Sequence, residues 1–206
     1  FGEIGDPGGE IAPIPQEPEQ CEPRRLEVER DVPATDITIA FHMGDRLSKD
    51  FSTGDLVSDL LSGGDSSRLY QHLVKEQRLF SSVNAYISGD VDEGMFVFTG
   101  QLLPTTSEQE AEAAFWDEIA LLQGAEISDY ELEKVKNKFE ANTLFGELNV
   151  MNKAMNLGYY SMIGDLPLIN REIDIYRSLT KAEIADFSKR VFTQENSSTL
   201  IYRATK

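Results

Sequence analysis

Alternating hydrophobic and polar residues predict five β-strands along the chain. The clearest is Ile37–Met43, in which β-branched and aromatic residues alternate with small or polar ones. Leu26 and Val28 alternate with charged residues, which is typical of a short strand at the edge of a sheet. The turn Gly89–Gly94 separates two further runs and indicates an antiparallel hairpin. The strands of the hairpin are Phe80–Ser88 and Met95–Leu103, and the last predicted strand is Thr199–Tyr202.

The segment between the first strands and the hairpin has the spacing of amphipathic helices. A helix is predicted from about Phe51 to the pair Gly63-Gly64, because four leucine and valine residues fall on one of its faces. Asp65 or Ser66 is positioned to cap a second helix. The residues expected to face inward are Leu56, Val57, Leu60 and Leu61 in the first helix and Leu69, Tyr70 and Leu73 in the second.

The second half of the chain is predicted to be mainly helical. Capping-box spacing marks three helix starts, which are Ser107 with Glu110, Ser128 with Glu131, and Thr180 with Glu183. The helix after Ser128 is expected to continue toward Leu148, and another helix runs through Met151, Met155 and Met162. Helices segregated from the strands predict an α+β fold, a two-layer sandwich of a mostly antiparallel sheet with helices packed on one face.

The first 33 residues contain six of the eight prolines in the chain. Proline fixes the backbone and removes hydrogen-bond donors, so residues 1–23 are predicted to be an extended interdomain linker. Residues 24–206 then form one α+β domain. The chain begins with Phe1 in this linker and shows no signal peptide, so we expect a piece of a longer protein whose targeting segment would be missing.

Composition and charge narrow the possible partners. The chain has 206 residues, 40% of them hydrophobic and 27% charged, with a formal net charge of −17. Such a surface repels phosphate backbones and anionic lipids, so we expect no nucleic acid partner. No apolar run approaches the ~20 residues that span a bilayer, so no membrane insertion is expected. We interpret the charge as maintaining solubility rather than as selecting substrates.

The histidines do not form a recognisable zinc motif. A catalytic zinc usually takes three protein ligands, and His42 and His72 are the two imidazoles of the chain. Neither His-Glu-x-x-His nor His-x-x-Glu-His occurs. His72 and Glu76 supply at most two ligands, and their spacing is typical of an ordinary pair on a helix surface. His42 is interpreted as a residue at the edge of a strand. No metal ligand is therefore predicted in this chain.

Nucleophilic chemistry has equally little support. Cys21 is the single cysteine and lies in the linker without a nearby histidine, so it is interpreted as a solvent-exposed thiol. No Gly-x-Ser-x-Gly elbow occurs. Gly63–Arg68 resembles a phosphate loop but lacks the Gly-Lys-Ser/Thr ending, and it is better interpreted as a helix end followed by a helix start. No catalytic residue is predicted.

One stretch does resemble a known family. Gly63–Glu76 reads Gly-Gly-Asp-Ser-Ser-Arg-Leu-Tyr-Gln-His-Leu-Val-Lys-Glu. It is similar to the Gly-Gly-x-Ser-Ser-Arg-Leu block in the C-terminal, inactive domain of peptidase family M16, the insulinase and mitochondrial processing peptidase family. Further matches lie in the expected order, at Phe1–Ile4, Pro23–Arg30, Val83–Gly94, Met95–Leu103, Leu179–Ile184, Arg190-Val191 and Thr199–Arg203.

The resemblance implies a metallohydrolase-like fold of the LuxS and mitochondrial processing peptidase type. Members of the family pair two homologous domains or subunits around a cavity. Zinc is bound by the first half, so the resemblance implies zinc in an N-terminal half outside this chain and no cofactor within it. The implied partners are the protein's own N-terminal catalytic domain, or a homologous M16 subunit, together with a peptide substrate.

Many active members carry an Arg and, seven residues later, a Tyr that face the catalytic centre. Gap-free alignment puts these positions at Val74 and Ser81, and a shift by one residue puts them at Leu73 and Phe80. Neither register contains the pair. Removing one such donor costs roughly 3 kcal/mol in other enzymes. The nearby residues that remain candidates for substrate binding are Arg68, Arg78 and Tyr86. Each also has an ordinary structural interpretation: Arg68 as a charge at a helix start, Arg78 as a surface charge, and Tyr86 as a side chain on the face of a strand.

Three hypotheses follow from the resemblance. The chain is the non-catalytic C-terminal domain of a zinc metallopeptidase and forms part of its peptide-binding chamber, or it is a degenerate partner subunit of an active M16 peptidase, or it has a purely structural role. The first predicts His-x-x-Glu-His upstream in the same reading frame, and the second predicts that motif in a neighbouring one. The periplasm or cell envelope of a bacterium is the working expectation for its location, since bacterial relatives are often associated with the envelope.

Overall fold

A single mixed sheet organises the chain. The computed structural model describes residues 5, 15, 17–89 and 91–205. The sheet has the strand order β1-β5-β2-β4-β3, with β1 parallel to β5 and the other neighbours antiparallel, which confirms the predicted sheet type. The strands are β1 (Arg24–Arg30), β2 (Asp36–Met43), β3 (Phe80–Ser88), β4 (Gly94–Leu102) and β5 (Ser197–Ala204).

Seven helices accompany the sheet in the described part of the chain. They are α1 (Lys49–Ser62), a π-helix (Tyr70–Glu76), α2 (Glu108–Gln123), α3 (Asp129–Gly146), α4 (Val150–Met162), α5 (Leu168–Ser178) and α6 (Lys181–Val191). The α+β class is confirmed by this arrangement. The linker boundary at residue 23 stays a prediction, and the family match at Phe1–Ile4 lies outside the described residues.

Side-chain capping explains where three of these helices begin. Ser128 and Thr180 each form a complete capping box with the glutamate three residues later. Ser107 accepts a hydrogen bond from the backbone N–H of Glu110. Each bond satisfies a donor that the first turn of a helix leaves free. The three predicted helix starts are therefore confirmed.

The region after α3 agrees with the expectation of two successive helices, one toward Leu148 and one through Met151, Met155 and Met162. α3 ends at Gly146, and α4 begins at Val150 after three intervening residues, the last of which, Asn149, caps α4 by accepting a hydrogen bond from the backbone N–H of Met151. α5 has no counterpart among the predicted helices. The second predicted helix is a π-helix in which Leu73 is buried and Tyr70 is half-buried, and Leu69, which directly precedes it, is buried as well.

The main core lies between the sheet and the helices on one of its faces. In β2, Ile37, Ile39 and Phe41 are fully buried, and their neighbours along the strand point to the opposite face. Aromatic rings join the layers, since Phe98 of β4 stacks on Phe115 of α2 with ring centroids 4.3 Å apart. Burial of these large side chains supplies most of the stabilisation of the fold.

A buried hydrogen bond joins α1 to α5 at the far side of the helical layer. The Tyr176 hydroxyl donates to Oδ2 of Asp55 over 2.8 Å, and the Tyr176 ring stacks on Phe139 of α3. Burial raises the pKa of the Asp55 carboxyl above its ordinary value, although the bond from Tyr176 opposes the shift. The charged form of Asp55 therefore destabilises the folded state, and the hydrogen bond from Tyr176 reduces this destabilisation.

Removing the Tyr176 hydroxyl should destabilise the chain more than removing the charge of Asp55. Tyr176→Phe is expected to lower the free energy of unfolding by about 1–2 kcal/mol at pH 7, because a buried carboxylate loses its donor. Asp55→Asn keeps an acceptor for Tyr176 without a buried charge, so its effect should lie within about 1 kcal/mol of zero. Urea denaturation of the two variants and the parent chain measures both.

The same pair predicts a pH dependence. Because the pKa of Asp55 is raised in the folded state, the stabilising contribution of its proton is complete below the ordinary value of 3.8 and is lost as pH rises through the folded value. The loss caused by Tyr176→Phe should therefore be smaller at pH 4 than at pH 7. An equal loss at the two pH values would contradict this account of Asp55.

Candidate functional site

The positions implied by the family resemblance meet where the π-helix ends and β3 begins. We call residues 74–82 the helix–strand corner. Val74 packs against the main core, whereas Ser81 is exposed at a β-bulge. The Ser81 hydroxyl donates to the side-chain oxygen of Gln101 over 3.0 Å. β-Bulges often change the direction of side chains next to functional sites. The corner therefore has a backbone geometry that is common at such sites, but neither of these two positions carries an arginine or a tyrosine.

Arg78 is the predicted substrate-binding residue that lies within the corner. Its side chain is exposed, and its φ of 55° places the backbone in the left-handed region. That conformation is uncommon for a residue with a side chain and is frequent at functional sites. Among the described residues, Arg78 has no ion pair within 4.0 Å. Its guanidinium is therefore available to a ligand at the corner.

Tyr86 lies further along β3, on the face of the sheet that carries no helix. It is opposite Val97 in the antiparallel pair of β3 and β4, and its ring is 44% exposed. Ser82 and Asn84 point to the same face, since side chains alternate along a strand. Tyr86 and the corner are thus joined by one row of outward-facing side chains.

Arg68 occupies a different environment from the other two candidates. It is buried in the helical layer, where its guanidinium forms two hydrogen bonds with the carboxylate of Glu131, at 2.7 and 3.1 Å. It also donates to the backbone carbonyl of Glu126. Burial alone would raise the pKa of Glu131, but the bonds from Arg68 and Ser128 outweigh it and lower the pKa to about 2. Arg68 therefore joins the start of the π-helix segment to the start of α3.

A groove crosses the helix-free face from the corner. It has a volume of about 420 Å³ and lies above β2, β3, β4 and β5. Hydroxyl and amide side chains from β3 and β4 line one side, and apolar or aromatic side chains from β5 line the other. The residues that point into it are Asp36, Thr38, Ser82, Asn84, Thr99, Gln101, Leu200 and Tyr202, of which Asp36 is charged. Such a lining offers both hydrogen bonds and apolar contact to a ligand.

A wider cleft opens at the opposite end of β2. Its volume is about 880 Å³, and His42 and Cys21 lie on its walls. Acidic residues make up much of the lining, and one of them, Asp50, is paired with Arg190 at 2.6 Å. Within the described ranges, no three His, Cys, Asp or Glu side chains are arranged to hold a metal ion in this cleft or elsewhere.

The second histidine is engaged in a contact that its sequence spacing did not reveal. Nδ1 of His72 lies 2.6 Å from Oε1 of Glu118, a buried carboxylate of α2, instead of pairing with Glu76. The other carboxylate oxygen of Glu118 has no hydrogen-bond partner in the described structure. His42 is on β2, and its backbone carbonyl accepts a hydrogen bond from Asn196. The described residues of this chain therefore do not fit a zinc centre.

A buried polar cluster, which the sequence analysis did not predict, fixes the helical hairpin α4–α5. Arg46 donates to Glu172 over 2.5 Å, and Tyr160 donates to the other oxygen of the same carboxylate. The Arg46 guanidinium also lies 4.2 Å above the ring of Phe51. Burial and the bond to Glu172 raise the pKa of Tyr160 well above its ordinary value, so its hydroxyl stays protonated and donating. Arg46 and Glu172 are 126 positions apart, so no local sequence pattern predicts that they pair.

The comparison with protein families gives one match, and the comparison with curated proteins gives one relative. Residues 1–139 match the family described as peptidase M16 inactive domain. An uncharacterized zinc protease of Rickettsia bellii is 24% identical over 147 residues, which are 71% of this chain and 35% of that protein. The chain thus spans about a third of the length of the curated relative. The described helices are each too short or too polar to cross a lipid bilayer.

Solved structures share the fold over nearly the whole chain. A protease from Helicobacter pylori has a TM-score of 0.90 at 23% identity, and the match covers 96% of this chain and 48% of that one. The inactive peptidase domain of a proposed zinc protease from Bordetella parapertussis has a TM-score of 0.76 at 22% identity, and the match covers 87% of this chain and 97% of that one. At these identities the matches show the fold alone.

The geometry of Arg68 predicts a structural effect of its removal. Arg68→Ala should lower the free energy of unfolding by about 2 kcal/mol at pH 7, because Glu131 and a backbone carbonyl lose their donor. This is less than a fully buried pair would lose, since 25% of the Glu131 side chain is exposed and solvent screens it. Arg78→Ala is the control and should change stability by less than about 0.5 kcal/mol.

The effect of Arg68→Ala should also depend on pH. Because the pKa of Glu131 is lowered to about 2, its contribution is present above the ordinary value of 4.5 and is lost as pH falls toward 2. Urea denaturation at pH 7 and pH 3 should therefore show a smaller difference between parent and variant at the lower pH. Equal losses for Arg68→Ala and Arg78→Ala would refute the structural assignment of Arg68.

Proposed function

The chain belongs to the peptidase M16 inactive-domain family, and we propose that it is the non-catalytic half of a zinc metallopeptidase and forms part of the wall of its peptide-binding chamber. One observation carries the proposal. Nearly the whole chain has the fold of about half of a longer protease. A complete enzyme would therefore contain as much chain again, and that other half would bind the zinc.

The helix–strand corner and the groove beside it are the proposed contact surface for the peptide. Amide and hydroxyl groups of Asn84, Thr99 and Gln101 can form hydrogen bonds with the backbone of an extended peptide whatever its sequence. Leu200 and Tyr202 offer apolar contact to its side chains. Both kinds of contact are needed by a chamber that binds peptides without strict sequence requirements.

The three residues predicted from the sequence have different parts in this proposal. Arg78 at the corner and Tyr86 on the same face as the groove are proposed peptide contacts, because both are exposed and both adjoin the part of β3 that lines the groove. Arg68 is proposed to support the corner from within, since its guanidinium is already occupied by Glu131 and the carbonyl of Glu126. No chemical step is assigned to any residue of this chain.

The alternative is a degenerate partner subunit of an active M16 peptidase. Val74 and Ser81 favour it, because Val74 has no side-chain donor and the Ser81 hydroxyl already donates to Gln101, whereas the resemblance implies an Arg and a Tyr at these positions in many active members. The two candidates differ in where the zinc motif is encoded. Its presence upstream in the same reading frame supports the first, and its presence in a neighbouring frame supports the second.

The chain by itself is expected to lack zinc and peptidase activity. After dialysis against metal-free buffer and addition of zinc, elemental analysis of the 206-residue chain should show no stoichiometric metal. A quenched fluorescent peptide should not be hydrolysed under the same conditions. One zinc bound per chain together with turnover would overturn the proposal that this half is non-catalytic.

Filling the groove should weaken peptide binding by the complete enzyme. Ser82→Trp places a large ring in the groove at a position that is exposed and that tolerates aromatic residues in a strand. In a polypeptide with both halves, we expect kcat/KM for a peptide to fall by about tenfold, a loss of roughly 1.4 kcal/mol of transition-state binding. Tyr130→Trp, exposed at the start of α3, is the matched control and should leave kcat/KM unchanged.

The origin of such a loss can be read from the kinetic constants. A filled groove obstructs the ground state and the transition state alike, so the change should appear in KM and leave kcat nearly constant. Unchanged kinetics in Ser82→Trp, with the variant folded as the parent chain, would exclude this groove as the peptide surface.

A further inference from the structure

The strand β3 lies at one edge of the sheet and lacks the residues that commonly protect an edge. In the described sheet, with the order β1-β5-β2-β4-β3, its one neighbouring strand is β4. Its sequence, Phe-Ser-Ser-Val-Asn-Ala-Tyr-Ile-Ser, contains no charged residue and no proline. An uncharged edge strand of nine residues offers its free backbone groups to any extended chain that can pair with it.

The opposite edge of the sheet is protected by charge. β1 reads Arg-Arg-Leu-Glu-Val-Glu-Arg, so five of its seven residues are charged. Charged side chains on an edge strand discourage the approach of a further strand. The two edges therefore differ, and β3 needs another form of protection.

A serine of α1 occupies the place of a neighbouring strand at the middle of β3. The Ser62 hydroxyl accepts a hydrogen bond from the backbone N–H of Ala85 over 2.7 Å and donates to the carbonyl oxygen of Ala85 over 2.8 Å. Oδ1 of Asn84, 3.2 Å away, is a second acceptor for the same hydroxyl. In an antiparallel sheet, a residue of an adjoining strand forms the same two bonds with a residue opposite it. We call this pair of bonds between Ser62 and Ala85 the edge lock.

The end of α1 fixes the position of the Ser62 hydroxyl. α1 ends at Ser62, and the backbone N–H of Gly63 donates to the carbonyl of Asp59. A Cβ at position 63 would collide with that carbonyl oxygen, so glycine is needed at this helix end. Lys138 of α3 donates to Oδ1 of Asp59 over 2.8 Å and to the carbonyl of Gly63 over 3.2 Å. The last turn of α1 is thus fastened to α3 and cannot move away from β3 without breaking these bonds.

The edge lock divides β3 into short pieces. Backbone groups of alternate residues point to the same side of a strand, so those of Val83 and Ile87 point outward together with those of Ala85. An added strand would have to pair with these residues in register. The β-bulge between Phe80 and Ser82 and the edge lock leave regular stretches at residues 82–84 and 86–88. Each has the minimum length of a strand in proteins, roughly three residues.

We propose that Ser62 is a specificity-determining residue that closes the β3 edge to strand addition. The excluded partner is an uncharged, extended peptide segment, because such a segment could pair with the backbone of an uncharged edge. The edge lock is formed within this chain and does not depend on the proposed function. Where the proposed function holds, a peptide that reaches β3 is directed to the groove on the helix-free face.

Hydrogen exchange of single amides, measured by NMR in the 206-residue chain, tests the edge lock. Ser62→Ala should raise the exchange rate of the Ala85 amide by about tenfold, because the amide loses its acceptor. Ser62→Thr keeps a hydroxyl and should retain slow exchange. Ser58→Ala is the matched control, because the Ser58 hydroxyl, one turn earlier in α1, bonds within the helix to the carbonyl of Asp55.

A synthetic peptide with the sequence of residues 80–88 is the probe for strand addition. It is uncharged and should pair with an open β3 edge, so Ser62→Ala should bind it about tenfold more tightly than the parent chain and Ser58→Ala do. Titration followed by the NMR shifts of the β3 amides measures the affinities. The same peptide with proline in place of Asn84 cannot donate at its centre and should not bind to any of these chains.

The two measurements together decide the proposal. Equal exchange of the Ala85 amide in Ser62→Ala and in the parent chain would overturn it. Faster exchange without tighter binding of the peptide would also overturn it, since Ser62 would then only stabilise the end of α1. Faster exchange with tighter binding, both reversed in Ser62→Thr, is the expected result. Neither measurement involves zinc or peptidase activity, so a failure here leaves the proposed function untouched.

Discussion

In the described part of the chain, helices pack on one face of the sheet only, and this one-sided burial determines where the other side chains lie. In β2, Ile37, Ile39 and Phe41 are buried against the helices, so the residues between them must point to the other face. The same alternation along β3 and β4 aligns Asn84, Thr99 and their neighbours into the groove. A register shift of one residue would exchange core and groove, and for that reason the fold and the candidate site depend on a single constraint.

Two arginines connect elements at the periphery of the fold, where apolar packing is less extensive. Arg68 joins the start of the π-helix segment to α3, and Arg46 joins the loop after β2 to α4 and α5. Ion pairs with defined hydrogen-bond geometry are directional in a way that leucine and phenylalanine contacts are not. These ion pairs therefore add directional contacts beside the helix–strand corner and at α4, in addition to the apolar packing of Val74, Leu79 and Phe80 at the corner and of Tyr160 in α4.

Elements with a local signature could be predicted from the sequence, and contacts between distant residues could not. The alternation in Ile37–Met43 and the capping residues Ser128 and Thr180 are read within a few positions, and the structure confirms them. The partner of His72 is Glu118, 46 residues away, and no helical period reveals it. A π-helix likewise depends on hydrogen bonds five residues apart, which hydrophobic spacing does not distinguish from an α-helix. Arg78 and Tyr86 stay predictions as peptide contacts.

The corner shows what a non-catalytic half keeps and what it gives up. Val74 contributes to the core, and Ser81 is bonded to Gln101, so both positions serve folding and leave no free charged donor toward a substrate. A preorganised donor at a developing negative charge is worth about 3 kcal/mol in other enzymes. Under the proposed function, that stabilisation has to come from the zinc-binding half. This half would then contribute shape and hydrogen bonds that act equally on the bound peptide before and during the reaction, and so affect its binding rather than its rate of cleavage.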